Sequence, residues 1–322
     1  NEFMLTRGTL AYIGQRLVLI AFTVVAVSSL VFIGIHQLPG NAFISERVRG
    51  DRLELVLHEY GLDRPLTEQY QEWATNAFLH GDLGQSFVNR GLDITPLVLR
   101  ELTVSAEVGG TALLITIGLG MLLGVIAAIK QNTWIDYLLT TTSVIGYSMP
   151  SFVLASFLLL FFAVFLASAT GGAFYYPLHW SGTYGDPIEL SIPAFALGFP
   201  YASIVARLTR ASMLEVIRQD YIRTARAKGL RERVVIIRHG LRNALIPVTT
   251  ILGPLVIGII TGSVVIESIF TIPGLGKEFV GSILRHDYNI TIGVFTMYAL
   301  MVGVANLLVD ISYTAIDPRI RY

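Results

Sequence analysis

Asp220-Tyr221-Ile222-Arg223-Thr224-Ala225-Arg226-Ala227-Lys228-Gly229-Leu230, followed by His239-Gly240-Leu241-Arg242-Asn243-Ala244-Leu245-Ile246-Pro247, is the stretch on which the reading of this chain turns. It predicts a short helix with small residues on one face and cations on the other. Gly229 supplies the stop, because glycine accepts the left-handed backbone that a helix C-terminus requires. Around it, residues 207–245 carry Arg207, Arg210, Arg218, Arg223, Arg226, Lys228, Arg231, Arg233, Arg238 and Arg242 against Glu215, Asp220 and Glu232, a net charge of +7. Long apolar runs flank this basic piece on both sides. A basic helix–turn–helix over 212–240, broken at Gly229 and set between apolar runs, reads as a loop between membrane helices.

Across the whole chain, six stretches reach the roughly 20 mainly apolar residues that a helix needs to cross a bilayer. They lie near 10–36, 103–129, 137–168, 190–208, 244–270 and 290–314. The first contains Leu17-Val18-Leu19-Ile20-Ala21-Phe22 and reads as a retained anchor, too long for a signal-peptide core. The fourth is the weakest, interrupted by Pro193 and Pro200. Asn1-Glu2-Phe3 precede Met4 and read as an addition, so residues 1–9 are taken as that addition plus a cytoplasmic N-terminus.

Composition agrees. Of the 322 residues 53% are hydrophobic and 14% charged, where a soluble domain carries about 25% charged residues. A water-soluble fold of this size could not hide so much apolar surface, which excludes a nucleic-acid binder, a disordered scaffold and an ordinary cytosolic enzyme. Cysteine is absent, which removes disulfides, thiolate metal sites and cysteine nucleophiles.

Orientation follows from where Lys and Arg fall. With the N-terminus inside, the inner segments hold Arg7, Lys130, Arg319, Arg321 and the basic 207–245 piece, whereas 168–189 has no Lys or Arg and 270–289 has only Lys277 and Arg285. Both termini are therefore expected inside, with 316–322 as a cytoplasmic tail. Residues 37–102 are expected outside, as a helical segment in which Leu53, Leu55, Leu57, Tyr60, Leu62, Tyr70, Trp73 and Phe78 alternate with polar positions. Gly61, Pro65, Gly81 and Gly84 mark its turns. The expected fold is an all-α polytopic membrane protein. Six transmembrane helices carry an extracytoplasmic helical segment after the first and a cytoplasmic loop, 209–243, between the fourth and fifth; the core runs over 103–315.

The quoted stretch resembles the cytoplasmic "EAA" loop of the inner-membrane permease subunits of binding-protein-dependent ABC importers, in the version of the dipeptide/oligopeptide (and nickel) group, first-permease type. The superfamily pattern is Glu-Ala-Ala, three residues, then Gly. Counting back from Gly229 places Arg223, Thr224 and Ala225 there, so two of three depart from the general motif, while Arg-Thr-Ala is the usual form in the peptide group. The resemblance continues through Gly61-Leu62-Asp63-Arg64-Pro65-Leu66 with Gln69-Tyr70, and through Gly81-Asp82-Leu83-Gly84-Gln85-Ser86. Toward the end it takes in Glu267-Ser268-Ile269-Phe270 with Ile272-Pro273-Gly274-Leu275-Gly276, and Asp317-Pro318-Arg319-Ile320-Arg321-Tyr322.

The resemblance implies a subunit of an ATP-driven importer in a bacterial or archaeal cytoplasmic membrane. It implies a second, related permease as heterodimer partner, two ABC ATPase subunits, an extracytoplasmic binding protein and a peptide cargo. ATP and Mg belong to the ATPase subunits, and this chain binds no cofactor and catalyses nothing. Arg223, Thr224, Ala225, Arg226, Ala227, Lys228, Gly229, Leu230, His239, Arg242 and Asn243 become the candidate ATPase-coupling loop. A short helix with a small-residue face can seat in a groove of the ATPase, and its cations orient the docking.

Other patterns carry less. Gly274-Leu275-Gly276-Lys277 fails the phosphate-loop pattern because Glu278 follows the lysine. Gly118, Gly120 and Gly124, and likewise Gly258 and Gly262, lie in membrane helices at spacings that permit close helix packing. The six histidines show no paired ligand spacing. Ionisable residues at membrane depth are candidates for function; Glu267 is the clearest, as a pathway or outer-gate residue, with Glu107, Asp310 and Glu189 nearer span ends. The alternative readings are a permease for nickel or oligosaccharide and, in another class, a self-sufficient secondary transporter, to which only the proline-bearing fourth span points. A membrane-embedded hydrolase would need paired catalytic groups within spans, and none is seen.

Overall fold

A computed structural model describes residues 7–37, 58, 60–173, 176, 180 and 187–316, with the side chains of 7–10 and 312–316 outside the description. The readings placed on Asn1–Met4, the Arg7 side chain, Leu53, Leu55, Leu57, His179 and the terminal Asp317–Tyr322 therefore lie outside the described residues. Among the described residues the structure is helical, and Gln85 and Asp93 form an isolated antiparallel bridge. In chain order the helices are α1 (Arg7–His36), α2 (Leu66–Thr75), α3 (Ile94–Ile129), α4 (Trp134–Ser148) and α5 (Ser151–Ala169). They continue with α6 (Pro187–Ile217), α7 (Asp220–Ala227), α8 (Leu252–Ile269), α9 (Leu275–Leu284) and α10 (Tyr288–Ile316). Six of them, α1, α3, α5, α6, α8 and α10, are long and apolar enough to cross a membrane.

The second span starts earlier than expected, at Ile94, and the fifth later, at Leu252, after the short helices Arg242–Ala244 and Ile246–Thr250; two further spans differ in continuity. The apolar run 137–168 is two helices, because Pro150 has no N–H to continue a helix and forces Met149 into an extended conformation, φ −91° and ψ 120°. The break leaves α4 too short to count among the spans. The fourth span is not interrupted: α6 runs unbroken through Pro193 and Pro200. Pro193 cannot donate to the carbonyl of Glu189 one turn back. The Tyr176 hydroxyl donates to that carbonyl instead, at 2.8 Å, and keeps it satisfied.

The chain divides into two compact units, Asn1–Ser105 with Pro273–Val304, and Ala106–Ile272 with Ala305–Tyr322. In the first, Phe32, Ile35, Trp73, Phe87, Tyr288 and Ile292 form one apolar cluster, and Leu83, Ile94, Val98, Leu275, Ile290 and Val294 another. Asp287 ties this unit together. Its fully buried carboxylate accepts from the Ser86 hydroxyl and, at 3.3 Å, from the Phe87 N–H. Asn289 beside it donates to the Gln85 carbonyl at 3.0 Å. The Gly81–Ser86 segment is thereby fastened to the start of α10.

In the second unit α6 is the central shaft, with α4, α5 and α8 packed along it. Of its membrane window 56% is buried, against 11% for α5. The approach is close enough to require glycine. A Cβ on Gly120 or Gly124 would lie 2.7 or 2.5 Å from the Ala202 or Ala206 carbonyl oxygen, and one on Gly198 would lie 2.5 Å from that of Ala112. Gly258 meets the Tyr201 hydroxyl in the same way, at 2.6 Å. Of the glycines expected to allow close packing, Gly120, Gly124 and Gly258 are the contacts that seat α3 and α8 on α6, whereas nothing lies within 4 Å of where a Cβ on Gly118 would be.

Candidate functional site

The site grows from the C-terminal end of α6. Arg218 and Gln219 turn the chain, and Gln219 is extended (φ −71°, ψ 151°), so α7 starts afresh at Asp220. An acid in the first turn faces the positive end of the helix dipole. Ile222 and Ala225, three apart and hence on one face, turn inward and pack with Val235 and Val216. Ile222 is 1% and Ala225 6% exposed. Arg223, Thr224, Arg226, Ala227 and Lys228 are left pointing outward.

The stop at Gly229 has the geometry of a Schellman cap. Gly229 sits at φ +75°, its N–H donates to the Arg226 carbonyl at 2.9 Å, and the Leu230 N–H reaches the Ala225 carbonyl at 3.4 Å. Nothing lies within 4 Å of where its Cβ would be, so the glycine is required by conformation and not by space.

Beyond the turn the chain folds back. Glu232 accepts from Arg226 at 3.2 and 2.7 Å across the Gly229 corner. Those bonds hold the Glu232 carboxyl below its ordinary value. Both side chains are exposed, so the pair adds little stability, about 0–1 kcal/mol, and serves to set the corner. The wide helical turn Val235–Leu241 packs on α7; His239 in it is half-buried, while Arg242 and Asn243 just after it are exposed. Asn243 donates its amide to the Tyr221 hydroxyl at 2.8 Å, tying the return segment of the hairpin to α7. Ala244, Met213 and Ala128 then form a small buried cluster, which joins the hairpin's far end to the shafts of α6 and α3.

The expected coupling residues are thus brought together in one hairpin, with Ala225 on its inside and Arg223, Thr224, Ala227, Lys228 and Leu230 on its outside. Tyr221, Ile222 and Val235, which shape it, are not singled out by the sequence, although the three-residue step from Ile222 to Ala225 carries the signal.

A second feature escapes the sequence reading altogether. Asp136 at the start of α4, 2% exposed, receives the Arg210 guanidinium of α6 through two bonds of 2.7 and 2.8 Å. The Asn132 N–H at 3.0 Å and the Thr140 hydroxyl at 3.3 Å complete its shell. Asp136 lies outside the candidate spans, and the Arg210 hydrogen bonds hold its carboxyl down to about 2. In the sequence Arg210 counts only toward the positive charge of the loop.

Glu267, near the end of α8, is completely buried, and its backbone carbonyl accepts the Ile272 N–H at 2.9 Å. Glu189 is buried, and Glu107 and Asp310 are half-buried. Arg285 pairs with Glu278.

Residues 120–322 match the family model described as "Binding-protein-dependent transport system inner membrane component". The chain is 40% identical over 311 residues to the dipeptide transport system permease protein DppB of Bacillus subtilis (strain 168), covering 96% of this chain and 97% of the relative. It is 39% identical over 285 residues to the oligopeptide transport system permease protein OppB of Escherichia coli (strain K12), covering 88% and 90%. Among solved structures it is similar to the chain titled "Crystal structure of an amino acid ABC transporter with histidines". That match has a TM-score of 0.50 and 16% identity, and covers 69% of this chain and 94% of that one. At that identity the likeness speaks to the fold.

Proposed function

The chain belongs to the family of inner membrane components of binding-protein-dependent transport systems, and on that premise we propose that it is the permease subunit through which an ATP-driven importer passes di- and oligopeptides. The cargo is inferred from the relatives whose names specify dipeptide and oligopeptide transport. In this reading a second, related permease completes the path, two ATPase subunits dock on the cytoplasmic side, and an extracytoplasmic protein delivers the peptide. ATP and Mg are bound and ATP is hydrolysed on the ATPase subunits. Both termini and the 209–243 loop face the cytoplasm, as the concentration of Arg and Lys in that loop supports.

The observation that carries the reading is the build of the α7 hairpin. A coupling element must present a fixed outer surface and be joined stiffly to what it moves. Here Arg223, Thr224, Ala227 and Lys228 face outward, while Ile222, Ala225 and Val235 lock the hairpin together. Val216 and Met213 join it to α6 on one side, and Ala244 joins it on the other. A displacement of α7 by closing ATPases is therefore passed to α6, and from α6 to the helices packed on it, which is the lever that alternating access needs. Glu267 is closed off from solvent in the single chain, so its part in a gate requires α8 to move with that lever.

The test is reconstitution of the complete transporter with the Gly229→Val variant. Normal insertion and assembly with loss of peptide uptake and of peptide-stimulated ATPase activity supports coupling through the hairpin. Undiminished uptake and stimulation in a correctly assembled variant overturns it.

A further inference from the structure

α6 carries two arginines one turn apart, and their surroundings differ. Arg210 spends Nε and Nη2 on the buried Asp136 of α4, so that pair is neutral. Arg207 is exposed, and no carboxylate lies within ion-pair distance of it among the described residues. Its guanidinium sits over the Tyr147 ring of α4, 4.7 Å from the centroid. The ring attracts the cation but leaves its charge uncompensated, which is costly on a membrane helix.

The groove between α4 and α6 limits what can supply the counter-charge. Tyr137, Val144 and Tyr147 follow one another along α4 at steps of seven and three, hence on one flank, and are 65%, 46% and 52% exposed. Trp134, also exposed, opens the same helix; tryptophan and tyrosine favour the boundary between bilayer and water. Beside Arg207 a recess of about 10 Å³ is lined in part by Thr140, Ser143 and Arg210, room for one water-sized group. Both hydroxyls already donate, Thr140 to Asp136 and Ser143 to the Leu139 carbonyl. Arg210 keeps Nη1 uncommitted among the described residues, since its bonds to Asp136 use the other two nitrogens. The N–H groups left to donate are thus those of the two arginines, so the recess calls for an acceptor with negative charge.

We propose that this groove binds an anionic phospholipid, with the phosphate on Arg207, one phosphoryl oxygen in the recess toward Arg210 Nη1, and the acyl chains over Val144 and Tyr147. Guanidinium and phosphate match in charge and in their paired hydrogen bonds, and the exposed flank matches the chains. The carboxylate of a peptide brings the same charge but leaves that flank bare. Its ammonium meets no carboxylate here with an oxygen to spare, because both Asp136 oxygens are engaged. The inference is independent of the cargo and rests on the membrane setting alone.

The purified full-length chain in neutral detergent is offered equal amounts of phosphatidylglycerol and phosphatidylcholine, and the lipid retained is counted by native mass spectrometry. Phosphatidylglycerol is expected to be retained in preference by at least about fivefold, ~1 kcal/mol for one cation. Arg207→Gln is expected to abolish the preference, Arg207→Lys to keep part of it, and Tyr147→Leu to reduce it. Arg233→Gln/Arg238→Gln, which removes two exposed cations of the hairpin, is expected to leave it unchanged. Equal retention of the two lipids, or a preference that survives Arg207→Gln, overturns the site; so does a preference lost only in the hairpin variant. Displacement of the lipid by inorganic phosphate at equal concentration overturns it in favour of a free anion. Displacement by Ala-Phe but not by Ala-Phe amide overturns it in favour of a peptide carboxylate. The measurement is repeated on the assembled transporter, where Arg207→Gln is again expected to lower retention of phosphatidylglycerol. Loss of that difference on assembly overturns the site and assigns the groove to a neighbouring subunit.

Discussion

α6 and the α7 hairpin are consecutive in sequence and are held in shape by opposite means. α6 is fixed from outside: Gly120, Gly124 and Gly258 of its neighbours let their backbones close on it, and Arg210 ties it to Asp136 of α4. The hairpin is fixed from inside, by two buried apolar side chains on α7, one on the return segment and a left-handed glycine. The shaft therefore resists distortion through many contacts. The hairpin concentrates its geometry in a few residues and leaves its outer face free of structural duty. Substitutions in the two regions should fail differently.

The largest effect is expected at the buried ion pair. Removing one partner of a buried pair costs about 3–5 kcal/mol, an upper bound here because the Arg210 side chain keeps 28% exposure, whereas replacing both by apolar residues is far milder. Asp136→Ala should thus lower the unfolding midpoint in detergent sharply, and Asp136→Ala/Arg210→Met should recover most of it. The same pair gives a pH signature. The folded carboxyl sits at about 2, below its ordinary value, so its contribution is complete above the ordinary carboxylate range and is lost as pH falls toward 2. Acid unfolding curves of the parent and of Asp136→Ala should therefore converge at low pH, while the double variant loses less stability in acid than the parent does.

Next comes overpacking of the shaft. Gly124→Val places a side chain against the Ala206 carbonyl and Thr209 and should cost about 1–3 kcal/mol or more, read as reduced yield of folded protein. Gly229→Val forces a β-branched residue into the left-handed region, about 1–2 kcal/mol. It should therefore lower the midpoint less than Gly124→Val does, yet lower coupled uptake more per unit of stability lost. Ala225→Leu pushes α7 away from Val235 and should resemble Gly229→Val. The smallest change is expected for Arg226→Ala, which removes an exposed pair worth about 0–1 kcal/mol. A thermal shift for Arg226→Ala as large as that for Asp136→Ala would erase the distinction between the regions.

Much of this contrast is legible in the sequence, for local reasons. Apolar length marks the six spans, the positive φ of Gly229 is implied by its place after a short helix, and glycine spacing foretells the close contacts of α3 and α8. What the sequence hides depends on partners distant in the chain or on the fine placing of one residue. Asp136 and Arg210 meet across 74 positions, and neither has a neighbour that announces the other. Pro150 is visible but submerged in apolar residues, so a single run stands in the sequence where two helices form. Pro193 reads as an interruption of α6 because the Tyr176 hydroxyl that replaces its missing donor comes from before the helix. Ala225 reads as one of several outward small residues, although its three-residue step from Ile222 places it inside the hairpin.

Coupling requires that α7 be the surface an ATPase subunit grips. The chain has no cysteine, so Lys228→Cys introduces a single reactive thiol on the outer end of the hairpin. The variant is examined by short-arm cross-linking in the assembled transporter, with and without ATP. A cross-link from position 228 to an ATPase subunit is expected, with a yield that changes with nucleotide. A fully active transporter in which the thiol at position 228 stays freely reactive to a bulky maleimide and never cross-links to the ATPase would contradict it.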